Sequence, residues 1–304
     1  MLTVSNYHYI RNEFKSPYPS IFGLTPNEFK EQLILLKNQG DFIKPKDLVT
    51  NIDDVLDAKE NHLLITFDDG LKEQFDLALP ILDALNVPAV FFANSLNFEN
   101  KKVSTVHKIH LLRSIIPTSE FLEKILKTEN IDFSDVEKDK AKNIYRYDDK
   151  ESAVLKYILN FKLTFSQQEV IIKKLFDLHF EENSILESLY MSESNLKYLA
   201  VKGYLGSHTH SHYPVGLLDT DTIKFELENP KLFFEKLTHS TLDLVSYPYG
   251  TSESCTNEVA ELSEIAGYKL GFTTNRGVNT KLENNMLLNR FDCNDLIGGK
   301  NYKA

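Results

Sequence analysis

Two short stretches of this 304-residue chain carry residues that could do chemistry. "LLITFDDG", Leu63 to Gly70, runs an apolar strand into two adjacent carboxylates, Asp68 and Asp69. Neighbouring acids repel, and burial raises the cost. A surface turn is one reading, because Asp and Gly favour turns. A shared counter-charge is the other. "SHTHSH", Ser207 to His212, sets His208, His210 and His212 at alternate positions. Continued as a strand, all three face one way. Turned into a helix after Thr209, His208 and His212 converge instead. Imidazole is the commonest metal ligand, and one carboxylate with two imidazoles suits zinc or a similar divalent ion. A cation would also offset the repulsion of the paired acids. One Asp could then bind metal while the other stays free as a base.

The elements around these residues set where they can lie. "LTVSNYHYI" reads as a first strand, and "TPNEFKEQLILLKNQG" as a helix. Thr25 can cap that helix, Pro26 sits at its first position, and Glu28 completes a capping box. "HLLITF" has the continuous apolar pattern of a buried parallel strand. Residues 71–86 read as a helix kinked at Pro80, and "VPAVFFAN" as the next strand. Residues of about 101–200 change character: rich in Lys, Glu, Leu and Ile, they predict a helical insertion. The strand–helix rhythm then resumes with "YLGSHTHSH", a strand running into a polar turn, then a helix over 220–237 interrupted near Pro230, "LDLVSYPYG", "NEVAELSEIAG", "YKLGFTT" and "NMLLNRFDCND". Alternating β and α favours a parallel sheet or barrel, whose chemistry gathers at strand C-terminal ends. Asp68-Asp69, the histidine cluster and "YPYG", Tyr247 to Gly250, all sit at such ends.

Composition narrows the class. The chain is 42% hydrophobic and 26% charged, ordinary for a globular protein. Its net charge of −10 disfavours nucleic acid and anionic membranes as partners. Cys255 and Cys293 lack metal-type spacing and are expected as free thiols. The N-terminus does not read as a signal peptide, and no apolar run approaches membrane-spanning length. The expected location is therefore cytoplasmic.

Taken together, these motifs resemble the polysaccharide deacetylase family, the NodB-homology group also called carbohydrate esterase family four. "TFDDG" matches its first motif, "SHTHSH" its second, with His208 and His212 in the two His positions, and "YPYG" a version of its third. The resemblance covers about 1–95 and 200–295. It implies an α/β fold, a distorted (β/α)7-type barrel forming a single domain over 1–304 with the helical insertion about 101–200. It also implies amide hydrolysis with one divalent metal ion, zinc first and cobalt or nickel as alternatives. By the resemblance, Asp69, His208 and His212 hold the metal, and Asp68 is the general base. The backbone N–H of Tyr249 stabilises the oxyanion, Pro248 lines the substrate site, and Thr209 orients its neighbours. His210 falls on a variable position and stays outside the metal set.

The chain also departs from the family pattern. Ser246 stands where the third motif usually has an Arg that pairs with the catalytic Asp; Arg290, in "LLNRFD", is the candidate replacement. No Trp is present, and no His follows His239, so the usual general acid is missing. His107, His110 and His8 are the alternatives, with His107 ranked first. His8 and Asp292 are expected to meet substrate, and Asp295 is a further candidate. The expected function is removal of an N-acetyl group from an amino sugar or glycan precursor, in surface-polysaccharide biosynthesis. Hydrolysis of another small acyl or formyl amide, or an inactive sugar-binding homologue, are the alternatives. An oligomer fits the sequence as well as a monomer.

Overall fold

The computed structural model describes residues 1–18, 20–129, 134–144 and 149–303. The chain divides into two compact units. One comprises Met1–Glu13, Gly23–Lys102 and Ile185–Ala304; the other comprises Phe14–Phe22 and Val103–Ser184.

The first unit is a curled parallel sheet with helices around it, an α/β half-barrel. Among the described residues its strands are β1 (Leu2–Tyr7), β2 (Asp41–Phe42), β3 (His62–Phe67), β4 (Ala89–Ala93), β5 (Leu205–Ser207), β6 (Leu244–Ser246), β7 (Leu270–Phe272) and β8 (Phe291–Asp292). Their order is β7-β6-β5-β4-β3-β1-β8, with β2 added beside the start of β3. Every strand pairing is parallel. The two ends of the sheet meet through one segment. Leu288 bridges to Phe272 at the end of β7, while Phe291 and Asp292 pair with Ser5 and Asn6 of β1.

The strands alternate, and the parity decides what fills the barrel. Leu2, Val4, Leu64, Val90, Phe92, Leu244, Leu270, Phe272 and Leu288, all at even positions, form one core cluster with Leu48, Val55 and Leu56 of two short helices. The odd positions face the helices. Phe67 stacks on Phe91 with centroids 4.8 Å apart, and Tyr7 and Phe67 both meet Phe29 of the helix Pro26–Leu36. Strand β3 reads as continuously apolar because both its faces are covered. That helix begins as its sequence dictates: Thr25 caps it, Glu28 closes the capping box, and Pro26 occupies the first turn.

Gly206 faces inward because nothing larger fits. A Cβ there would lie 2.4 Å from Cδ1 and 2.5 Å from Cε1 of Phe92, a ring that is itself fully buried. Gly206→Ala is expected to destabilise the fold by about 1–3 kcal/mol through overpacking. A fall in the urea midpoint at constant m-value would record it; an unchanged midpoint would mean that the ring can move.

Proline effects differ from expectation. The helix Thr220–Thr238 runs through Pro230 without a break. Ile223, Glu226, Leu227, Pro230 and Phe234 bury one face of it, and this packing outweighs the missing hydrogen bond. Ahead of Pro80 the chain forms a π-helical turn, Gln74–Ala78, then the α-helix Leu79–Leu85. Pro80 sits in the first turn of that second helix, where its missing N–H costs least. The short helices Pro45–Thr50 and Ile52–Asp57 carried no strong sequence signal.

The second unit is helical among its described residues. Phe121, Ile125, Leu155, Ile158, Ile171 and Phe176 lie in its interior. Thr164 and Gln167 form a capping box on Phe165–Phe176. His107 lies buried on the helix Thr105–Ile115, with its ring centroid 6.1 Å from that of His110. Beside it, the Lys108 ammonium is held by Glu182 at 2.7 Å and sits over the Phe176 ring.

Candidate active site

The even-numbered parity that puts Leu and Val at the bottom of the barrel puts polar groups at its strand C-terminal end. Thr66 and Asp68 follow Leu64, Ser246 follows Leu244, and Arg290 follows Leu288. These groups meet. The Arg290 guanidinium donates to both Asp68 oxygens, at 2.9 Å from Nη1 and 2.7 Å from Nη2. Nη2 also donates to Ser246 Oγ at 2.8 Å, Nη1 to Thr66 Oγ1 at 3.2 Å, and Nε to the Thr273 carbonyl at 2.7 Å. All five N–H groups of a fully buried arginine are thereby matched to acceptors. Such a buried pair is sustained by complete hydrogen bonding, not by charge attraction alone. Ser246, at the position of the absent motif arginine, is itself a partner of Arg290.

Burial alone would push the Asp68 carboxyl up. The Arg290 charge, then those of His208 and His8, outweigh it and hold the group well below the usual carboxylate range. Asp68 is therefore ionised at neutral pH despite being buried.

Asp69 turns the other way. Its φ is +80°, and it joins His208 and His212. The Asp69 Oδ1 lies 3.1 Å from His212 Nε2 and 3.5 Å from His208 Nε2. These ligand atoms all fall within 4.8 Å of one another, the one such group of three among the described residues. The Nδ1 of His208 is 2.8 Å from the Ser246 carbonyl, which can only accept, so the proton sits on Nδ1. In the neutral imidazole this leaves the Nε2 lone pair for a cation beside Asp69, the tautomer a metal ligand needs. Burial opposes a charge on His208, but Asp68 and Asp69 outweigh it and raise its pKa. The site draws positive charge, and its donor set fits a borderline divalent ion.

The histidine segment is neither a longer strand nor a helix. Strand β5 stops at Ser207, and Thr209 and His212 adopt left-handed φ of +60° and +63°. This turn brings His208 and His212 together, with ring centroids 5.0 Å apart. The end of β4 holds it. Ala93 O accepts the His208 N–H at 2.8 Å, and Asn94 Nδ2 donates to the His208 carbonyl. The buried Glu226 accepts the N–H groups of His210 and Ser211 at 3.0 and 2.8 Å. His210 faces away from the ligands, 2.7 Å from Ser95 Oγ and 3.1 Å from Asn229 Nδ2.

Tyr249, also left-handed at φ +63°, is half exposed, and its ring lies edge-on to His212 at 5.5 Å. Its carbonyl accepts the Thr274 hydroxyl at 2.7 Å. Pro248 beside it is buried. His8 follows the last residue of β1, and Asp68 N–H donates to the Tyr7 carbonyl, so His8 and Asp68 lie side by side beyond the last rung. Asp292 is exposed, and its Oδ1 accepts the Asn294 N–H at 2.8 Å, capping the turn Cys293–Asp295. Asp295 approaches Arg276 at 4.0 Å. His107 belongs to the second unit. Both cysteines are buried free thiols, and burial pushes the Cys255 thiol up to about 12.

The sequence reading missed Thr66, Thr273 and Gln74. For Thr66 the strand parity was a usable signal; for the others no local pattern existed.

The fold and the motif residues can be set against known proteins. The family model for polysaccharide deacetylase matches residues 56–128 and 181–270, more than half the chain. The chain belongs to the polysaccharide deacetylase family. YxkH of Bacillus subtilis (strain 168), assigned as a polysaccharide deacetylase, is 26% identical over 122 residues. That match spans 40% of this chain and 43% of YxkH. Among solved structures, the Streptococcus pyogenes deacetylase PplD, in complex with acetate, superposes with a TM-score of 0.55 at 17% identity, covering 96% of this chain and 91% of its own. IcaB from Ammonifex degensii gives 0.54 at 18% identity, covering 95% and 90%. The deacetylase domain of BpsB from Bordetella bronchiseptica gives 0.56 at 16%, covering 96% and 95%. No helix among the described residues is long and apolar enough to cross a membrane.

Proposed function

We propose that the protein is a metal-dependent hydrolase that removes an N-acetyl group from an amino sugar or glycan precursor. The observation that carries this reading is the pairing of two different carboxylates. Asp68 is buried yet held ionised by Arg290, and Asp69 sits beside it with two imidazole nitrogens. One acid is arranged to take protons and the other to ligate. A divalent cation held by Asp69, His208 and His212 would supply Lewis acidity toward the amide carbonyl and the attacking water.

This chain's own residues do the rest. Asp68 takes the proton from the water that attacks the acetyl carbon. Arg290 and Ser246 fix its orientation. The backbone N–H of Tyr249 donates to the oxygen that gains negative charge, and Pro248 holds that turn. His8, beside Asp68, gives a proton to the departing amine. His107, the first choice from sequence, is buried on its own helix and is given no step in this reading. Asp292 acts on the turn that it caps. The products are an amine and acetate, the ion that accompanies PplD.

Metal removal tests the reading. Dialysis against dipicolinate is expected to abolish acetate release from N-acetylated amino sugars. One equivalent of zinc, cobalt or nickel should restore it. His208→Ala should bind none of the three tightly. Failure of the wild-type protein to bind any of them would sink the mechanism and leave the fold.

A further inference from the structure

We infer that Gln74 is the positioning residue that sets the spacing between Asp68 and His8; this rests on the functional reading above. Strands β1 and β3 run in register from Leu2 and His62 to Tyr7 and Phe67, and their last rung is Asp68 N–H to the Tyr7 carbonyl. Beyond it the two chains part. Asp69 turns away at φ +80°, and the carbonyls of His8 and Asp68 have no ladder partner to join them. The side chain of Gln74 fills that gap. Its Nε2 donates to the Asp68 carbonyl at 2.6 Å and to the His8 carbonyl at 2.9 Å. Its Oε1 accepts the Leu71 N–H at 3.2 Å. Among the described residues no other side chain is hydrogen-bonded to both carbonyls.

The amide can sit only one way. Flipped, it would set its oxygen against two carbonyl oxygens and its NH2 against an N–H donor. Gln74 is fully buried, so no water can take over these bonds. It also opens the π-helical turn, where the Leu79 N–H bonds back to the Gln74 carbonyl. Such turns recur at functional sites. Here the turn falls where one side chain must reach back over two strand ends. The groups that move protons in opposite directions are thereby tied through a single amide.

The test compares Gln74→Met, which keeps size and removes the donors, with Gln74→Glu, which keeps shape and the Leu71 contact. His8→Gln and the double variant His8→Gln/Gln74→Met complete the set. Misplacement of about 1 Å in a proton-transfer pair costs about a hundredfold. A fall in kcat of about 10–100-fold is therefore expected in both Gln74 variants. KM and the visible spectrum of the cobalt-loaded protein should stay unchanged. The double variant should be no more than about threefold slower than His8→Gln alone, because residues acting as a unit are not additive. Multiplying losses, an unchanged kcat in Gln74→Glu, or loss of the cobalt spectrum in both variants would overturn the proposal. A wild-type kcat in His8→Gln would instead overturn the role given to His8, a different failure.

Discussion

Replacing Asp68 by Asn is expected to lower kcat by about 10²–10⁴-fold, the span general-base catalysis supplies, while leaving bound metal in place. The substitution keeps size but removes the charge that accepts the proton. It also sets an NH2 against the Arg290 guanidinium, so one of the two bonds at 2.7 and 2.9 Å is lost. KM should change little, because Asp68 acts on the water and not on the sugar. Steady-state kinetics with parallel metal analysis would decide. Retained activity in Asp68→Asn with full metal content would remove Asp68 from the proton chemistry. Loss of metal as well would make it a ligand.

The second large effect is on stability. Arg290→Met strands a carboxylate in the interior, where removing one partner of a buried pair costs about 3–5 kcal/mol. The pH dependence has a definite sign. Asp68 has a folded-state pKa below its unfolded value, so its contribution is complete above about pH 4 and fades as pH falls through the folded value. In Arg290→Met burial is no longer balanced by the guanidinium charge, and the carboxyl pKa rises. The variant is thus most deficient at neutral pH and approaches the wild type in acid. Urea unfolding at about pH 7 and about pH 4 measures both differences. Arg290→Lys should recover only part of the loss, since one ammonium cannot serve two carboxylate oxygens, Ser246 and the Thr273 carbonyl. A deficit that is independent of pH would mean that Asp68 is not the group being stabilised.

Much of the site was legible in the residue order. Asp68-Asp69 stood out because two acids end a strand whose other residues are apolar, and His208 and His212 because their spacing matches a known motif. The βα rhythm gave the sheet, and Thr25, Pro26 and Glu28 gave the first helix. Other features had no local signature. Arg290 meets Asp68 across 222 residues, a contact that only the closed sheet creates. Left-handed φ values, found at Asp69, Thr209, His212 and Tyr249, are uncommon for any residue but glycine, most of all for the β-branched Thr209. They cluster where strand ends must turn sharply to aim their side chains, and surrounding packing sustains the strain. The strand running into a polar turn expected for "YLGSHTHSH" is what forms; a continued strand or a helix, the two finer geometries weighed for the histidines, does not describe it. Pro230 misled for the opposite reason: burial of its helix face overrode a strong local rule. Gln74 was invisible because its importance lies in two backbone carbonyls, which any sequence possesses.

The seam that joins the ends of the sheet has a consequence for the order of events during synthesis. The segment Leu288–Asp292 bridges β7 to β1 and carries the arginine that keeps Asp68 charged. Chains leave the ribosome N-terminus first, and a compact unit folds as a whole. A nascent chain that has emerged past His212 already owns all three ligand side chains, but its base lacks the guanidinium and a low pKa. Sheet closure and the pairing of Arg290 with Asp68 are then one event. On the proposed function, Asp68 gains its guanidinium partner only once β8 is zipped in.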